Sequence, residues 1–270
     1  MEPVALLVPA YNCQQQLDST IAELPTDLPL AVLIVDDGSV PPLVLPAAAP
    51  CHRVRMIRNA ENLGVHGALR EGINLLHAEG FSFVARLDCG DNALSCRFGL
   101  QQAFLDAHPK VAVVGTACDI VDDWGRHLYL LRPPVDDANI RRQILLRTCL
   151  AHTSVMMRLS AVIEVGNYRG VYPLAEDLDL FLRLLGSYRA ANLPQVLTRF
   201  AISSDGTSAR HRYQQLRSTL RLQVSHARPG SIADWAGIAK TLAHCVVPRS
   251  ITESAKSFLR APRLEGSGSQ

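Results

Sequence analysis

Five short, nearly unbroken apolar runs separate helix-like stretches in the first part of the chain, and this alternation constrains the fold more than any other feature. The runs are VALLV (4–8), LAVLIV (30–35), VRMI (54–57), FSFVARL (81–87) and VAVVG (111–115). A strand with one wet face alternates apolar and polar residues. A run without alternation needs cover on both faces, as in parallel sheets flanked by helices. Helix-like stretches lie near 13–24, 65–79 and 95–108. In the second, Leu69, Ile73 and Leu76 share one face and Gly80 supplies a stop. Strand and helix in alternation predict an open α/β sheet, in which ligands gather at the carboxyl ends of the strands.

Three polar clusters fall at that edge. They are PAYN (9–12) after the first strand, DDGS (36–39) after the second and DCGD (88–91) after the fourth. Beyond residue 116 the pattern changes. Residues 119–134 read as a hairpin turning at Asp123–Gly125, and a helix is expected near 138–149. HTSVMMRLSAVIEVGNY (152–168) and AEDLDLFLRLLG (175–186) follow. In the last, Leu178, Phe181, Leu182 and Leu185 form an apolar face, with Glu176, Asp177 and Asp179 at the start. Acidic residues also suit a helix N-terminus, and an Asp-Asp-Gly-Ser turn is a common exit from a sheet. Each cluster alone therefore has a structural explanation.

A net charge of +2 gives no sign of a nucleic-acid binder. The charge is nevertheless divided. Residues 1–208 carry 17 Lys+Arg against 22 Asp+Glu, a balance of −5, and residues 209–270 carry 10 against 3, a balance of +7. In the basic part, Tyr213, Leu216, Leu220 and Val224 form a stripe flanked by Arg212, Arg217 and Arg221. Trp235, Ile238 and Leu242, then Ile251, Phe258 and Leu259, continue it. Basic amphipathic helices of this kind can lie on an anionic bilayer, pack on the rest of the chain, or make a homodimer. The seven cysteines lack C-x-x-C pairing and read as reduced cytosolic thiols. The N-terminus has no basic region before its apolar run, and no window approaches the ~18–20 apolar residues of a membrane span. The expected location is cytoplasmic, with peripheral attachment to the inner face of the membrane.

The series VPAYN, IVDDGS, RNAENLG, ARLDCGD, HTSVMMR and AEDLDLFLRL, in that order, resembles the family 2 glycosyltransferases, the inverting bacterial type. The resemblance covers roughly residues 3–208. It implies a Rossmann-like GT-A fold with an open mixed sheet, a nucleotide-sugar half at about 1–116 and an acceptor half at about 117–208. A helical extension over 209–264 and a flexible tail, 265–270, would follow. The implied reaction moves a sugar from a nucleotide-diphosphate donor, a UDP-sugar by preference, to a saccharide or lipid-linked saccharide acceptor in bacterial surface polysaccharide synthesis.

The same resemblance assigns roles. Pro9, Ala10 and Tyr11 would line the nucleotide pocket, Asp37 would accept a hydrogen bond from the base, and Asp36 would support it. Arg58, Asn62 and Gly64 would lie on a loop beside the donor. Asp91 would be the direct ligand of a divalent cation, Mn²⁺ or Mg²⁺, with Asp88 near the ribose or sharing the cation. Asp177 would be the general base, Glu176 its neighbour on the acceptor, and His152 would stand on the acceptor side. His66, on the loop beside the donor, reads as a surface or packing histidine. The family's usual Asp-Ala-Asp-Asp is Asp88-Cys89-Gly90-Asp91 here, and Ala201 and Ser203 stand where an arginine and a histidine usually close over the diphosphate. Arg199, Arg210 and His211 are candidates to replace them. Two rival readings stay open: a non-catalytic nucleotide-binding scaffold, and a sugar nucleotidyltransferase, which would want a glycine-rich basic loop that PAYNCQQQ lacks.

Overall fold

The structure, a computed structural model, describes residues 4–202 and 211–246. In chain order the strands are β1 (Val4–Ala10), β2 (Leu30–Asp36), β3 (Arg53–Arg58), β4 (Phe83–Arg86), β5 (Asn92–Ala93), β6 (Val111–Val121), β7 (His127–Leu131), β8 (Met156–Arg158) and β9 (Arg189–Ala201). The helices are α1 (Gln14–Ala22), α2 (Gly64–Ala78), α3 (Arg97–Ala107), α4 (Asp137–Gln143), α5 (Leu159–Glu164), α6 (Glu176–Ser187), α7 (Arg212–His226) and α8 (Ile232–Val246).

The strands form one mixed sheet in the order β3-β2-β1-β4-β8-β6-β9-β5, with β7 folded back on β6. β1 pairs in parallel with both β2 and β4, so PAYN, DDGS and DCGD do leave the same edge. The sheet changes hand at β8, which runs antiparallel to β4 and β6. Both faces are covered, as the unbroken apolar runs required. In β1, Ala5 and Leu7 face Leu69, Ile73 and Leu76 of α2, while Val4, Leu6 and Val8 face Leu17 and Ile21 of α1. Each fully buried Leu contributes about 1.5–3 kcal/mol over an exposed one, so this alternation fixes the register of β1 firmly.

Three expectations change. VRMI is an edge strand, not a buried one: β3 ends the sheet and exposes Arg53, Arg55 and Arg58, charges that discourage edge pairing. β6 runs on without a break from the fifth apolar run into the first arm of the hairpin, whose turn carries Gly125 at φ +75°. The helix expected over 138–149 stops at Gln143. Past that point the Leu145 and Leu146 carbonyls turn outward and accept from Gln223 Nε2 (2.7 Å) and Lys240 Nζ (3.3 Å). The stripe on α7 is not the face that packs on the body: Tyr213 and Val224 are exposed, Leu216 and Leu220 half-buried, and Ser218, Leu222 and Gln223 face inward. The polar Gln223 is inside because it serves the open Leu145 carbonyl. Ile251, Phe258 and Leu259 lie outside the described residues.

The last two helices thus pack on the body at the turn after α4. Gly237 makes this contact possible, since a Cβ there would sit 2.1 Å from the Leu145 carbonyl oxygen and 2.8 Å from its carbon. Backbone cannot swing aside as a side chain can. Gly237→Ala is therefore expected to destabilise the protein by about 1–3 kcal/mol, read as a lower urea midpoint. An unchanged midpoint would mean that α8 does not bear on this turn.

Candidate active site

The first three motifs meet through hydrogen bonds at the ends of β1, β2 and β3. Asp36 closes β2 and is fully buried. Its Oδ1 accepts from the Ser39 amide at 2.9 Å, and its Oδ2 accepts from Arg58 Nη1 at 2.7 Å and the Leu43 amide at 3.3 Å. Burial pushes this carboxyl up, but the bonds from Ser39 and Leu43 and the Arg58 charge outweigh it and hold it below the usual range. Arg58 also donates to the Ser39 carbonyl at 2.8 Å. The Asp37 amide donates to the Ala10 carbonyl at 2.8 Å, and Asp37 Oδ1 accepts from Asn59 Nδ2 at 2.7 Å and the Leu63 amide at 3.0 Å. Asn62 Oδ1 accepts from the amide of Gly64, which has φ +77° and opens α2. Pro9 and Ala10 end β1 beneath this turn, and Tyr11 stands exposed above it.

The acidic loop follows β4. Arg86, the last residue of the strand, is buried and makes two bonds to Asp88, at 2.7 and 2.6 Å. The loop backbone is pinned on both sides: the Asp88 amide donates to Thr153 Oγ1 (3.1 Å) and the Gly90 amide to Thr20 Oγ1 (2.9 Å). Gly90 has φ +94°, a conformation that side chains rarely adopt. A third carboxylate at this position would strain the turn. Asp91 is 2% exposed; its Oδ1 accepts from the Ala201 amide at 2.9 Å, and its Oδ2 finds no partner among the described residues. Burial raises the Asp91 carboxyl to about 7, and Asp88 adds to the rise, against Thr153, Ala201 and Arg86.

Glu176 and Asp177 open α6 on the other side of Arg86. Burial and the neighbouring Asp177 raise Glu176 to about 6. Burial also raises Asp177, with Asp88 contributing, while the Leu178 amide (2.7 Å to Oδ1) and Arg86 oppose it. His152 Nε2 shares a 2.6 Å hydrogen bond with the Tyr168 hydroxyl, and its ring meets Phe181 edge-on. Burial first, then Arg86, keeps this histidine well below its usual range, so the ring is neutral at pH 7. Asp179 lies in the first turn of α6, as expected of a helix-start charge, but its carboxylate turns inward. It is 1% exposed and receives Arg169 Nη2 at 2.5 Å and Arg183 Nη2 at 2.8 Å. Arg183 also donates to the carbonyls of Val165 (2.5 Å) and Asn167 (2.8 Å), which sets the loop that carries Tyr168.

The sequence model "Glycosyl transferase family 2" matches residues 5–166, more than half the chain. The chain belongs to glycosyltransferase family 2. It is 28% identical over 258 residues to "Putative glycosyltransferase EpsE" of Bacillus subtilis (strain 168), covering 92% of this chain and 91% of that protein. It is 30% identical over 163 residues to the amylovoran biosynthesis glycosyltransferase AmsE of Erwinia amylovora, covering 60% and 59%. Among solved structures, S. aureus TarS 1–349 in complex with UDP-GlcNAc aligns with TM-score 0.61 at 15% identity, over 94% of this chain and 76% of that one. The mannosyltransferase PcManGT of Pyrobaculum calidifontis, in complex with GDP-Man and Mn²⁺, aligns with TM-score 0.59 at 17% identity, over 95% and 79%. At those identities the likeness concerns the fold, which is the GT-A arrangement.

Around the motifs of this glycosyltransferase stand residues that motif reading passed over. Arg86 sits among the carboxylates. Arg97, fully buried at the start of α3, donates to the carbonyls of Arg86 (2.8 Å) and Thr153 (3.0 Å). A charge inside the apolar run FSFVARL was a readable signal for Arg86; Thr20, Thr153 and Tyr168 gave none. Arg199, on β9, pairs with Asp119 at 3.6 Å, and His211 is exposed before α7. Ser203 and Arg210 lie outside the described residues. His66 packs against Gly170, where a Cβ would sit 2.6 Å from its Nε2.

The raised Asp91 carboxyl has a thermodynamic consequence. The folded chain holds this proton up to about pH 7, whereas the unfolded chain releases it near 4. Through Asp91 the folded state binds more protons in that window, and this group's contribution to metal-free stability falls as pH rises, by about 1.4 kcal/mol per pH unit at most, while His152, held neutral, contributes a slope of the opposite sign. Asp91→Asn is expected to remove the Asp91 contribution, so that the variant gains stability relative to wild type as pH rises from 6 to 7. Urea midpoints across that range, equally steep in the variant, would contradict it.

Proposed function

We propose that this family 2 enzyme transfers a sugar from a nucleotide-diphosphate donor, UDP-linked by preference, to a saccharide or lipid-linked saccharide acceptor, with inversion at the anomeric carbon. One observation carries the reading. Two carboxylate pairs far apart in sequence, Asp88/Asp91 and Glu176/Asp177, lie in one another's field around Arg86, and three of the four carboxyls sit above their ordinary values. Perturbed acids gathered at the carboxyl edge of an α/β sheet mark a site for chemistry. UDP-GlcNAc in TarS and GDP-Man in PcManGT support the donor class, and the name of AmsE supports a polysaccharide product.

In this reading Asp37 meets the base, Asp36 and Arg58 brace its turn, and Pro9, Ala10, Tyr11, Asn62 and Gly64 line the donor pocket. The residues present suit a divalent cation: Asp91 offers a buried oxygen without a partner, on a carboxyl that cation binding would ionise. Asp91, with Asp88, would hold Mn²⁺ or Mg²⁺, whose chemistry is to offset the charge of the departing diphosphate. Among the described residues no three His, Cys, Asp or Glu side chains gather for a metal, so donor oxygens would complete the shell. Asp177 takes the proton of the acceptor hydroxyl as that oxygen attacks the anomeric carbon from the face opposite the diphosphate. Glu176 and His152 bound the acceptor side. Because Asp177 works as its anion and its pKa is raised, transfer rises with pH through that value. Residues 1–208 would form the catalytic domain and residues 209–264 a helical extension.

A donor screen by calorimetry tests this directly. With Mn²⁺ present, one of UDP-, GDP- or dTDP-sugars is expected to bind, and Asp91→Ala should lose the Mn²⁺-dependent part. Asp177→Asn should bind the donor while transfer drops by roughly 10²–10⁴. Binding with no transfer by wild type to any acceptor would favour the scaffold reading, and no binding at all would sink the donor site.

The extension supports a peripheral contact with an anionic bilayer. Ile232, Trp235, Leu242 and Val246 share one exposed face of α8, and Arg217, Arg221, Arg228 and Lys240 are exposed nearby in sequence. No described helix is long and apolar enough to cross a membrane. The full chain is expected to sediment with phosphatidylglycerol vesicles and not with neutral ones, and the Trp235→Ser, Leu242→Ser double variant should stay in solution. Equal sedimentation of both proteins, or wild-type dimers that the double variant cannot form, would rule for another use of the face.

A further inference from the structure

The loop that delivers Asp177 is tied to the body at one end and to the C-terminal helices at the other. Its start is fixed on three sides. Arg169 pairs with Asp179 of α6 at 2.5 Å, Asn167 Nδ2 donates to Asn74 Oδ1 of α2 at 2.9 Å, and Gly170 packs on the His66 ring. Beyond Gly170 the chain runs over the surface, and Val171 is 52% exposed. It then turns sharply. The Ala175 amide donates to the Tyr172 carbonyl at 3.0 Å, which closes a four-residue turn with Pro173 second and Leu174 third. Leu174 has φ +63°, at the position where a turn of this pattern usually carries glycine. A leucine there is strained, and the conformation persists only where the surroundings over-determine it. Ala175 is the N-cap of α6, so Glu176 and Asp177 follow directly on the strained residue.

The head of this turn is steadied from α7. The Arg221 guanidinium lies over the half-buried Tyr172 ring, its carbon 5.3 Å from the ring centroid. Arg221 stands on a rigid base. Leu222 beside it is fully buried, and Gln223 Nε2 donates to the Leu145 carbonyl at 2.7 Å. The helix also packs against α6 itself. A cation on a fixed helix thus holds the first residue of a strained turn whose last residue caps the helix of Asp177.

We infer that Arg221 is a positioning residue for sugar transfer: by holding Tyr172 it keeps the turn over 172–175 in its strained form and aims Asp177 at the acceptor hydroxyl. The C-terminal helices are then part of the working site. Without the clamp, Leu174 relaxes toward negative φ, the first turn of α6 shifts, and the Asp177 carboxylate leaves its line with the attacking oxygen. A displacement of this kind slows the chemical step steeply and leaves the binding of remote donor groups alone. That Asp177 is the base rests on the function proposed above; that Arg221 holds the turn does not.

The test uses the full chain. In Arg221→Ala and in Tyr172→Ala, hydrogen exchange over residues 172–180 is expected to quicken at least about tenfold, while α8 keeps its wild-type protection. Arg221→Lys, which keeps a cation over the ring, and Tyr172→Phe, which keeps the ring, should stay near wild type. On the same proteins, UDP release from UDP-GlcNAc with Mn²⁺, water serving as acceptor, should slow at least about tenfold in the two alanine variants. Their UDP affinity by calorimetry should be unchanged. If Arg221→Ala also loses protection across α8, Tyr172→Ala, which leaves α7 as it is, decides. Unchanged exchange in the alanine variants overturns the inference. So does slower release matched by weaker UDP binding, and so does an Arg221→Lys as slow as Arg221→Ala. Release of no nucleotide by wild type from UDP-GlcNAc, GDP-mannose or dTDP-glucose sinks the transfer reading and the aiming of Asp177 with it, while exchange still decides whether Arg221 holds the turn.

Discussion

Everything at the site hangs on two guanidiniums buried where β4 ends. Arg97 donates to the carbonyls of Arg86 and Thr153, and its Nε reaches Gln101, which in turn serves the carbonyls of Val114 and Ser154. These acceptors belong to β4, β6 and the turn before β8, the place where the sheet passes from parallel to antiparallel. A buried charge is tolerated only when well bonded, and here its bonds hold three segments at one point. With its carbonyl fixed by Arg97, Arg86 directs its own guanidinium to Asp88 and toward α6. The site's four carboxylates thus lie around Arg86, two residues before Asp88 in ARLDCGD, which Arg97 in turn holds in place.

Much of the parallel half was legible in the chain, because there one physical rule governs each strand. β1, β2 and β4 are wet on neither face, so their runs contain almost nothing polar, and their parallel order brings three motif-bearing ends to one edge. The rule failed where a strand's position in the sheet decides its burial. Nothing within VRMI says that β3 is an edge. Nothing in residues 138–149 says that α4 yields its last turn so that Leu145 and Leu146 can bond to α7 and α8.

The motifs were legible as clusters, but the bonds that make them one site were not. Thr20, Thr153 and Ser39 are short hydroxyls whose value lies only in the amides they meet, and those amides come from distant segments. Tyr168 looked like any aromatic near a Gly-Asn turn until His152 was found bonded to it. Asp179 was legible as a structural charge, but its partners were not. Two residues beyond Asp177, on the same acidic helix start, it turns inward to two arginines and becomes structural.

The contrast between those two aspartates separates scaffold from chemistry. Asp36 and Asp179 are buried as deeply as Asp91, yet both stay below the usual carboxylate range, because each is supplied with amides or guanidiniums for both oxygens. Asp91 has one amide for two oxygens and rises to about 7. Asp177 has one backbone amide from its neighbour and also rises. Asp36, Asp91 and Asp179 are alike in burial, and the charged donors that meet the first and last are what Asp91 lacks. A fold that supplies some buried acids in full and leaves others short keeps their desolvation cost in place, and only an outside group can relieve it. In the proposed reaction Asp91, with an oxygen still open, is the carboxylate that would take a cation. Asp177, beside Glu176 at the start of α6, is the one that would take a proton.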